Sequence, residues 1–582
     1  MKFLDLASYF ESLEATTKRL EMFETLAELF RNAQAHEVDK IIYLSQGQLV
    51  PSFQGLEMGM SEKLLVRVLA GVTGCELKKV SENFRRLGDL GKTAEELITG
   101  PGRGLAITEV YEQFLRISQT GGEGSVERKI NILQGLFSQA SAKEAKYIAR
   151  FVVGRLRLGV GDAAVLEALS LARLGSREHR PRLERAYNLC SDLGLVAKVL
   201  FEQGEKGIDE IRVQMGYPIR MALCERSSSA EEIVEKIGRC AVEVKYDGFR
   251  LQVHKQGSDV KLFSRNLERT TDMFPEIVEA TRQQLAVREV IFEGEAIAYD
   301  EATGELHPFQ VTMQRKRKHG IPEAAKKFPL KFFAFDLLYV DGVDYTSQPY
   351  SVRRGKLESL IRPDTTIDHA KVLFTDDSKE IAQFFDVAVG EGLEGIIAKR
   401  LDAPYAAGAR NFNWIKLKRS YKGELTDTLD VCIVGYYFGK GQRAQFGIGA
   451  VLAAVYDPEN DCFKTISRIG TGFSEDQLKQ LKELLEPHEI DEKPTRVDSG
   501  ATPNRWVEPR FVVTVVADEI TRSPFHTAGK PKYIQDAGYA LRFPRIQGFV
   551  RTDKRPEDST TEKEVDDMFK RQKHVKLEER FR

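Results

Sequence analysis

The stretch AVEVKYDGFR, residues 241–250, places two charged side chains inside a strand-like run of valines. Successive side chains of a strand point to opposite faces, so Glu243 and Lys245 are predicted to share the face that the valines leave. The Asp-Gly pair at 247–248 is a tight-turn signal and predicts a hairpin to the next strand. Arg250 on the returning strand is then expected beside Glu243 and Lys245, so that three charged groups converge.

The chain continues with charged and aromatic residues on a series of predicted strands. Alternating patterns predict strands at residues 241–246, 249–255, 259–264, 289–298, 330–339, 394–399 and 413–418. The side chains there that could carry chemistry are Arg265, Glu293, Glu295, Phe335, Glu394, Lys399, Arg410, Trp414, Lys416 and Lys418. Alternation also predicts that Phe333, Phe335 and Leu337 share one face. Singly, strand aromatics usually pack a core and alternating lysines usually protect a sheet edge.

The composition is that of an ordinary globular protein with several domains. At 582 residues, with 42% hydrophobic and 30% charged residues, the chain should divide into about three or four domains. Because the net charge is only −1, any nucleic-acid surface must come from local basic patches. The six cysteines are scattered without a CxxC pair, which argues against a zinc module and against disulfides. No signal peptide or membrane-length apolar stretch is seen, so a cytoplasmic protein without a membrane partner is expected.

Three regions with different patterns of predicted helices and strands indicate a multidomain fold. Residues 1–208 read as successive amphipathic helices, which predicts an all-α domain. Residues 209–419 mix short strands with helices, which predicts an α+β domain. Residues 420–582 contain glycine-separated strands and a C-terminal helix, which predicts a small β-barrel such as an OB-fold. The segment KRSYKGELTD, residues 418–427, is the expected hinge between the last two domains.

Glycine-rich breaks in the helical region suggest a surface that grips a nucleic-acid backbone. Three breaks, at residues 99–104, 120–125 and 155–162, combine glycines with nearby arginines at predicted helix starts. Glycine lets a backbone approach a phosphate closely, and the free N–H groups of a first helical turn bind anions. Each break alone fits a plain helical scaffold equally well.

Six short motifs, taken in order, resemble the signature series of the covalent nucleotidyltransferases, which are the DNA ligases, RNA ligases and mRNA capping enzymes. The motifs are KYDG, SRN, EGEAIA, FFAFDLLYVDG, EGLEGIIAK and WIKLKRSY, within residues 245–421. One motif is a weak signal, whereas six in order are specific. The whole chain resembles the ATP-dependent DNA ligases of the archaeal and eukaryotic replicative type, since TTKRLEMFETLAELF, YLSQGQLVPSF, EITRSPFHTAG and ALRFPR…RTDKRPEDSTT also resemble that subfamily.

The resemblance implies a DNA-binding domain (1–208), a nucleotidyltransferase domain (209–419) and an OB-fold domain (420–582). Lys245 would attack the α-phosphate of ATP to give lysyl-AMP, once nearby cations and a metal have lowered its pKa. The implied nucleotide contacts are Glu243 to the adenine amino group, Phe335 stacked on the base, Glu295 and Arg250 to the ribose, Arg265 and Arg410 to the nucleotide or the 5′-phosphate of a nick, and Lys416 and Lys418 to the α-phosphate. Glu394, with Glu295, is the implied carboxylate for Mg²⁺, an ion that prefers oxygen ligands.

The C-terminal basic element departs from the family pattern. The resemblance implies that an RxDK motif orients the pyrophosphate leaving group, and Arg551 and Lys554 are the matching residues. The spacing from RFPR (542–545) to RTDK is one residue longer than the pattern, so the register of the motif stays open. Because Arg551 and Lys554 are far from Lys245 in sequence, the OB-fold domain is expected to close over the nucleotide and later reopen onto DNA.

The implied activity is the sealing of nicks in duplex DNA during replication, repair and recombination. AMP would pass from the lysine to the 5′-phosphate of the nick, and the neighbouring 3′-hydroxyl would displace it. The implied cofactors are ATP and Mg²⁺, with Mn²⁺ as an alternative metal. Nicked double-stranded DNA is the implied partner, a sliding clamp docked on the helical domain is a further candidate, and a nucleoid-associated monomer is expected.

Several alternatives are disfavoured by particular features. A capping enzyme would use GTP and would not need residues 1–208, and an NAD-dependent ligase would carry a cysteine-ligated zinc module. An RNA ligase could share the core, but the N-terminal resemblance is to duplex-DNA binders. A DNA-binding clamp on an inactive ligase core would be expected to lack Lys245, Glu295 or Lys416, which are all present. A helical repeat protein would lack the strand-rich middle.

Overall fold

The computed structural model of the chain describes residues 1–301, 306–307, 309–317, 319–362, 366–390, 393–418, 428–439, 446–517, 519–535 and 537–571. The predicted helical region is confirmed. Its helices are α1 (Phe3–Ala15), α2 (Arg19–Asn32), α3 (Val38–Ser45), α4 (Glu62–Thr73), α5 (Leu77–Leu87), α6 (Leu90–Leu97), α7 (Ile107–Gln119), α8 (Ser125–Phe137), α9 (Ala142–Val152), α10 (Asp162–Leu174), α11 (Arg180–Cys190) and α12 (Leu193–Glu210).

Amphipathic spacing and capping define these helices. In α2 the apolar residues at three- and four-residue intervals, from Met22 to Phe30, are buried in one large core. Ser141 begins α9 with a capping box, in which its side chain and that of Glu144 each accept a backbone N–H of the other. The three glycine-rich breaks end where α7, α8 and α10 begin, as predicted.

The middle region contains two sheets flanked by helices. Its strands are β1 (Leu223–Arg226), β2 (Cys240–Lys245), β3 (Phe249–Gln256), β4 (Asp259–Ser264), β5 (Glu289–Ala298), β6 (Leu330–Val340), β7 (Val343–Asp344), β8 (Ile367–His369), β9 (Val372–Thr375), β10 (Gly395–Arg400) and β11 (Arg410–Lys418). Its helices are α13 (Ala230–Ile237), α14 (Pro275–Gln284), α15 (Phe309–Thr312), α16 (Ile321–Lys327), α17 (Tyr350–Leu360) and α18 (Ser378–Gly390). One sheet has the order β1-β11-β10-β2-β9, and the other has the order β4-β3-β5-β6-β7 with β8 beside β6.

The predicted hairpin between β2 and β3 is wrong. β2 pairs with β9 and β10 in the first sheet, whereas β3 pairs with β4 and β5 in the second. A two-residue hairpin turn needs a positive φ at one or both central residues, and neither Asp247 nor Gly248 has one. The chain instead crosses between sheets at Gly248, where a Cβ would lie 2.2 Å from the carbonyl oxygen of Ala296. The predicted convergence of charged groups is still found, because both sheets line one cavity.

A bulge in β6 changes the predicted alternation of that strand. The pairing of β5 with β6 passes over Phe335, which is left without an opposite residue. As a result Leu337 packs in the core of the second sheet. Phe333 and Phe335 pack with residues of the first sheet instead. The prediction that all three share a face is therefore wrong for Leu337, and the bulge directs Phe335 to the cavity.

The C-terminal region is built on a mainly antiparallel sheet. Its strands are β12 (Leu429–Tyr437), β13 (Ala450–Asp457), β14 (Cys462–Ile469), β15 (Glu489–Ile490), β16 (Val497–Asp498), β17 (Arg505–Val516), β18 (Glu519–Ser523), β19 (Gly538–Arg542) and β20 (Arg545–Arg551), with helices α19 (Glu475–Leu485) and α20 (Glu562–Arg571). The order is β15-β17-β12-β13-β14-β16 with β20 beside β17, and β18 pairs with β19. Among the described strands no pairing closes this sheet into a full barrel.

Two further expectations concern single segments of the chain. The predicted hinge lies almost wholly outside the described residues, which stop at Lys418 and resume at Thr428. No helix in the described ranges is long and apolar enough to cross a membrane.

A buried ionic network holds three helices of the N-terminal region together. Arg150 on α9 contacts Asp89 before α6 at 2.7 Å and Glu14 on α1 at 2.9 Å, and its side chain is 2% exposed. Burial raises the pKa of Glu14, but hydrogen bonds and charge from Arg150 outweigh it and lower this pKa to about 2. Such a pair stabilises the fold chiefly because removing one partner leaves the other charge buried.

We expect Arg150→Met to lower the free energy of unfolding of the helical region by about 3–5 kcal/mol, because Asp89 and Glu14 lose the buried guanidinium that they share. The effect should be measured by urea denaturation followed by helical circular dichroism. Arg67→Met is the control, since the Arg67–Glu127 pair is exposed and should contribute at most about 1 kcal/mol.

The same network predicts a pH dependence. Because the folded pKa of Glu14 is below its ordinary value of 4.5, its contribution is present above that pH and lost as pH falls toward 2. The difference in melting temperature between the parent and Glu14→Gln should therefore shrink below pH 4.5. An undiminished difference at pH 3 would contradict the ionic account.

Candidate active site

One cavity brings together the residues that the sequence singled out. It lies between the two sheets of the middle region and the C-terminal region. Its lining includes Glu243, Lys245, Arg250, Arg265, Glu295, Phe335, Glu394, Arg410, Lys416, Lys418, Arg551 and Lys554. The whole predicted set of site residues therefore lines a single space.

Lys245 ends β2 and contacts the carboxylate of Glu394, which precedes β10. The other oxygen of Glu394 contacts Lys418 at the end of β11, so one carboxylate bridges two ammonium groups. Burial lowers the pKa of Lys245, but the carboxylates of Glu394 and Asp247 outweigh it and raise the pKa above its usual value. The expected lowering by neighbouring cations is therefore not found in this arrangement, because Lys245 contacts an anion directly.

The strands of the second sheet supply Arg250 and Glu295. These residues are opposite each other on β3 and β5, but the guanidinium of Arg250 contacts Glu293 at 2.8 Å and donates to the carbonyl of Ala222 at 2.7 Å. Glu295 accepts a hydrogen bond from the backbone N–H of Gly248 at 3.1 Å. Burial raises the pKa of Glu295 to about 8, although the charges of Lys245 and Arg250 act in the opposite direction.

The aromatic rings of Phe335 and Trp414 line the cavity together with Glu243. Phe335 and Trp414 meet edge to face with ring centroids 6.0 Å apart. Glu243 is 2% exposed and contacts Lys399 at 2.7 Å, while Tyr350 and Arg354 of α17 donate to its other oxygen. Aromatic rings beside polar groups have the polarity to bind a planar heterocyclic base.

The sequence missed Arg226 and Glu564, which meet at a cluster of cations. Glu564 on α20 is 3% exposed on its side chain, and it contacts Arg226 of β1 at 2.9 Å and Lys416 at 3.9 Å. Arg410 contacts the same oxygen. Burial would raise the pKa of Glu564, but Arg410 and Arg226 hold it well below its usual range. The carboxylate therefore occupies the kind of site that suits a phosphate oxygen.

The local sequence around Glu564 predicts a helix cap and gives no sign of a role at the cavity. The sequence STTEKE predicts a cap for the C-terminal helix, and Glu564 does accept the backbone N–H of Thr561 at 2.8 Å. The second role of the carboxylate depends on cations more than 150 positions away, as the sequence separation from Arg410 shows. No local pattern encodes that contact.

The C-terminal region closes the cavity with Arg551 and Lys554. Arg551 forms a two-pronged contact with Asp553, with both distances 2.7 Å. Lys554 contacts Asp430, the second residue of β12. Arg265, which follows β4 of the middle region, lies 3.6 Å from Asp558 of the C-terminal region. The two regions therefore meet through charged groups at the cavity.

The carboxylates of the cavity fit a single hard cation. No cluster of three or more His, Cys, Asp or Glu side chains that could enclose a metal occurs among the described residues. Mg²⁺, however, is commonly held by one or two carboxylates together with substrate phosphates and waters. Glu295 and Glu394 line the same cavity and supply such a pair.

Comparison with known proteins identifies the family. Residues 221–418 match the family described as "ATP dependent DNA ligase domain", residues 2–170 match "DNA ligase N terminus", and residues 444–554 match "ATP dependent DNA ligase C terminal region". A "Probable DNA ligase" of Dictyoglomus thermophilum is 51% identical over 100% of this chain and 99% of its own length. "Probable DNA ligase" of Dictyoglomus turgidum is 50% identical with the same coverage, and "DNA ligase 2" of Thermofilum pendens is 42% identical over 99% and 98%.

The chain therefore belongs to the ATP-dependent DNA ligases. It is an enzyme that uses ATP and seals nicks in DNA through an adenylate intermediate. The predicted resemblance and the predicted activity are confirmed at this level. The middle match spans the cavity residues from Glu243 to Lys418, and the C-terminal match includes Arg551 and Lys554.

We expect Glu564→Gln to lower the ATP concentration needed for half-maximal self-adenylation by about tenfold, because a charged hydrogen bond that competes with phosphate is worth about 1.5–3 kcal/mol. The rate of AMP incorporation should be measured against ATP concentration. Glu562→Gln is the control, since Glu562 on the same helix pairs with Lys464 and does not line the cavity. An unchanged ATP dependence in folded Glu564→Gln would show that the carboxylate does not compete.

Proposed function

We propose that Lys245 is the residue that carries AMP in this ligase and that the cavity around it is the nucleotide site. The observation that supports this best is the convergence on one cavity of an amine, two aromatic rings and a set of cations. Glu243 would accept from the adenine amino group, Phe335 would stack on the base, and Glu295 with Arg250 would contact the ribose. The phosphates would contact Lys416 and Lys418.

The remaining charged residues receive proposed roles by position. Arg265 and Arg410 would contact the nucleotide or the 5′-phosphate of the nick, and Arg551 and Lys554 would contact the departing pyrophosphate. Glu394 and Glu295 would hold Mg²⁺, or Mn²⁺ in its place, and this ion when bound supplies positive charge at the phosphates.

The first chemical step would proceed as follows. The neutral amine of Lys245 attacks the α-phosphorus, a P–N bond forms, and the bond to pyrophosphate breaks. In the ligand-free chain Glu394 stabilises the ammonium form of Lys245. When the carboxylate of Glu394 no longer contacts Lys245, burial and the nearby lysines favour release of the ammonium proton of Lys245 to water. AMP then passes to the 5′-phosphate of the nick, and the 3′-hydroxyl displaces it.

We further propose that residues 1–208 form the DNA-binding domain, 209–419 the nucleotidyltransferase domain and 420–582 an OB-fold domain. The glycine-rich helix starts of α7, α8 and α10 suit contacts with a duplex backbone. A monomer at the nucleoid, acting in replication, repair and recombination and docking a sliding clamp through its helical domain, is the cellular setting that we propose. Light scattering tests the monomer, and co-elution tests the clamp.

Lys245→Ala should abolish the gain of one AMP when the purified protein is incubated with ATP and Mg²⁺, because no other group on this strand can form the phosphoramide. Intact-mass measurement, after pyrophosphate treatment to strip AMP already bound, checks this result. Lys236→Ala is the control, because Lys236 pairs with Glu232 outside the cavity. A parent protein that gains no AMP would refute the proposed site.

Glu394→Gln should raise the Mg²⁺ concentration needed for adenylation by at least about tenfold, which corresponds to about 1.4 kcal/mol of lost metal affinity. The rate of AMP incorporation is measured against Mg²⁺ concentration, and chelation should stop the reaction in the parent. Glu358→Gln serves as the control, since Glu358 pairs with Arg354 on α17 and lies outside the cavity. A normal Mg²⁺ dependence would assign the metal to other groups.

A further inference from the structure

Asp430 is a fixed carboxylate at the edge of the cavity. It is the second residue of β12 and is 7% exposed. Its side chain accepts a hydrogen bond from the hydroxyl of Thr514 on β17 at 2.7 Å. Its backbone N–H donates to the hydroxyl of Thr560 at 2.9 Å, and its carbonyl accepts the N–H of Thr560 at 2.7 Å. Strand pairing and three hydrogen bonds therefore determine where this carboxylate lies.

The carboxylate of Asp430 holds the ammonium group of Lys554. Two other acids are near Lys554, but Arg551 binds Asp553 in a two-pronged contact, and Asp558 lies beside Arg265 and Arg555. The charged groups that act on Lys554 are Asp430 of β12, Arg551 and Asp553 at the end of β20, Arg265 after β4, Lys418 of β11 and Asp558. Among the residues that the structure describes, Lys554 therefore lies between cations, with the carboxylate of Asp430 in direct contact.

We propose that Asp430 is a positioning residue, which orients the ammonium group of Lys554 at the cavity and keeps it charged for the departing pyrophosphate. The inference rests on the proposed function, in which Lys554 contacts that leaving group. Pyrophosphate leaves only when AMP is transferred to Lys245, whereas the later two steps release the lysine and then AMP. Asp430 should therefore matter for self-adenylation and not for the final closure of an adenylated nick.

The charge on Lys554 is sensitive to Asp430. Burial lowers the pKa of Lys554 to about 8, with Arg551, Arg265 and Lys418 acting in the same direction and Asp430 opposing them. Without the carboxylate this pKa falls further, so the cation is lost at a lower pH. A decline of the adenylation rate on the alkaline side should shift to lower pH in a variant that lacks it, which a purely structural role would not produce.

The first test uses full-length Asp430→Asn with ATP and Mg²⁺. We expect the single-turnover rate of AMP incorporation at pH 8 to fall at least about tenfold, with the alkaline limb of the rate shifted to lower pH. Closure of a nick that already carries AMP on its 5′-phosphate should change less than about twofold. Glu489→Gln is the matched control, since it removes the carboxylate of the Lys482–Glu489 pair in the same region, away from the cavity.

The second test asks whether Asp430 acts through Lys554. We expect Lys554→Met to slow adenylation, and Asp430→Asn to add less than about twofold to that loss in the double variant, because residues acting through one contact are not additive. Asp430→Glu keeps the charge but moves it, so its rate should be intermediate and its alkaline limb should match the parent. This variant also serves if Asp430→Asn does not fold.

Specific outcomes would overturn the inference. Equal slowing of adenylation and of nick closure in Asp430→Asn would indicate a general structural defect. A full additive loss in the double variant would show that Asp430 does not act through Lys554. If Lys554→Met slows adenylation and Asp430→Asn does not, the inference fails while the proposed function stands. If Lys554→Met has no effect, the role of Lys554 in the proposed function fails, and the inference fails with it.

Discussion

The cost of burying charge determines how the cavity around Lys245 is built. Cations from four strands of the first sheet and from the C-terminal region meet there, and desolvated ions of one sign cannot remain uncompensated. The chain supplies carboxylates to match: Glu394 for Lys245 and Lys418, Glu564 for Arg226 and Arg410, and Asp430 for Lys554. The site is thus held together by ion pairs between these carboxylates and the surrounding cations.

These pairs also explain why the C-terminal region lies over the cavity. Glu564 and Asp430 come from that region, while their partners Arg226 and Arg410 belong to the middle region and Lys554 to the C-terminal region itself. Where the two regions meet at the cavity, their contacts include these ion pairs and hydrogen bonds from Arg226 and Lys316. Ionic contacts of this kind exchange partners more readily than an apolar interface does, because each partner can be satisfied by another charged group.

Much of this arrangement could be predicted from the sequence, because strand alternation is a local property. The predicted strands that carry Lys245, Arg250, Glu295 and Lys416 lie within a few residues of the observed bounds. The prediction that these side chains converge also agrees with the cavity that they line. The hairpin prediction failed because an Asp-Gly pair signals a change of direction without specifying which strand pairs with which. The bulge at Phe335 could not be predicted either, since it depends on the register of β6 against β5.

Contacts between distant parts of the chain are the second feature that could not be predicted from the sequence. Glu564 carries a clear capping signal, yet its contact with Arg410 joins residues from two regions that no periodicity links. Asp430 reads as an ordinary strand residue, and only the folded chain brings it against Lys554. The raised pKa of Lys245 has the same origin, because Glu394 approaches it through strand pairing and not through neighbouring sequence.

Because the chain crosses from one sheet to the other at Gly248, the width of the cavity depends on how the two sheets pack against each other. Lys245 and Arg250 are five positions apart, yet no hydrogen-bond ladder fixes the distance between their strands, which belong to separate sheets. That spacing is set by side chains that fill the gap, such as Tyr246, whose ring stacks on Phe333 with centroids 4.2 Å apart. The volume of these side chains therefore determines how thick a molecule can fit between the two sheets. The width of the cavity thus depends on apolar packing as well as on the charged groups that line it.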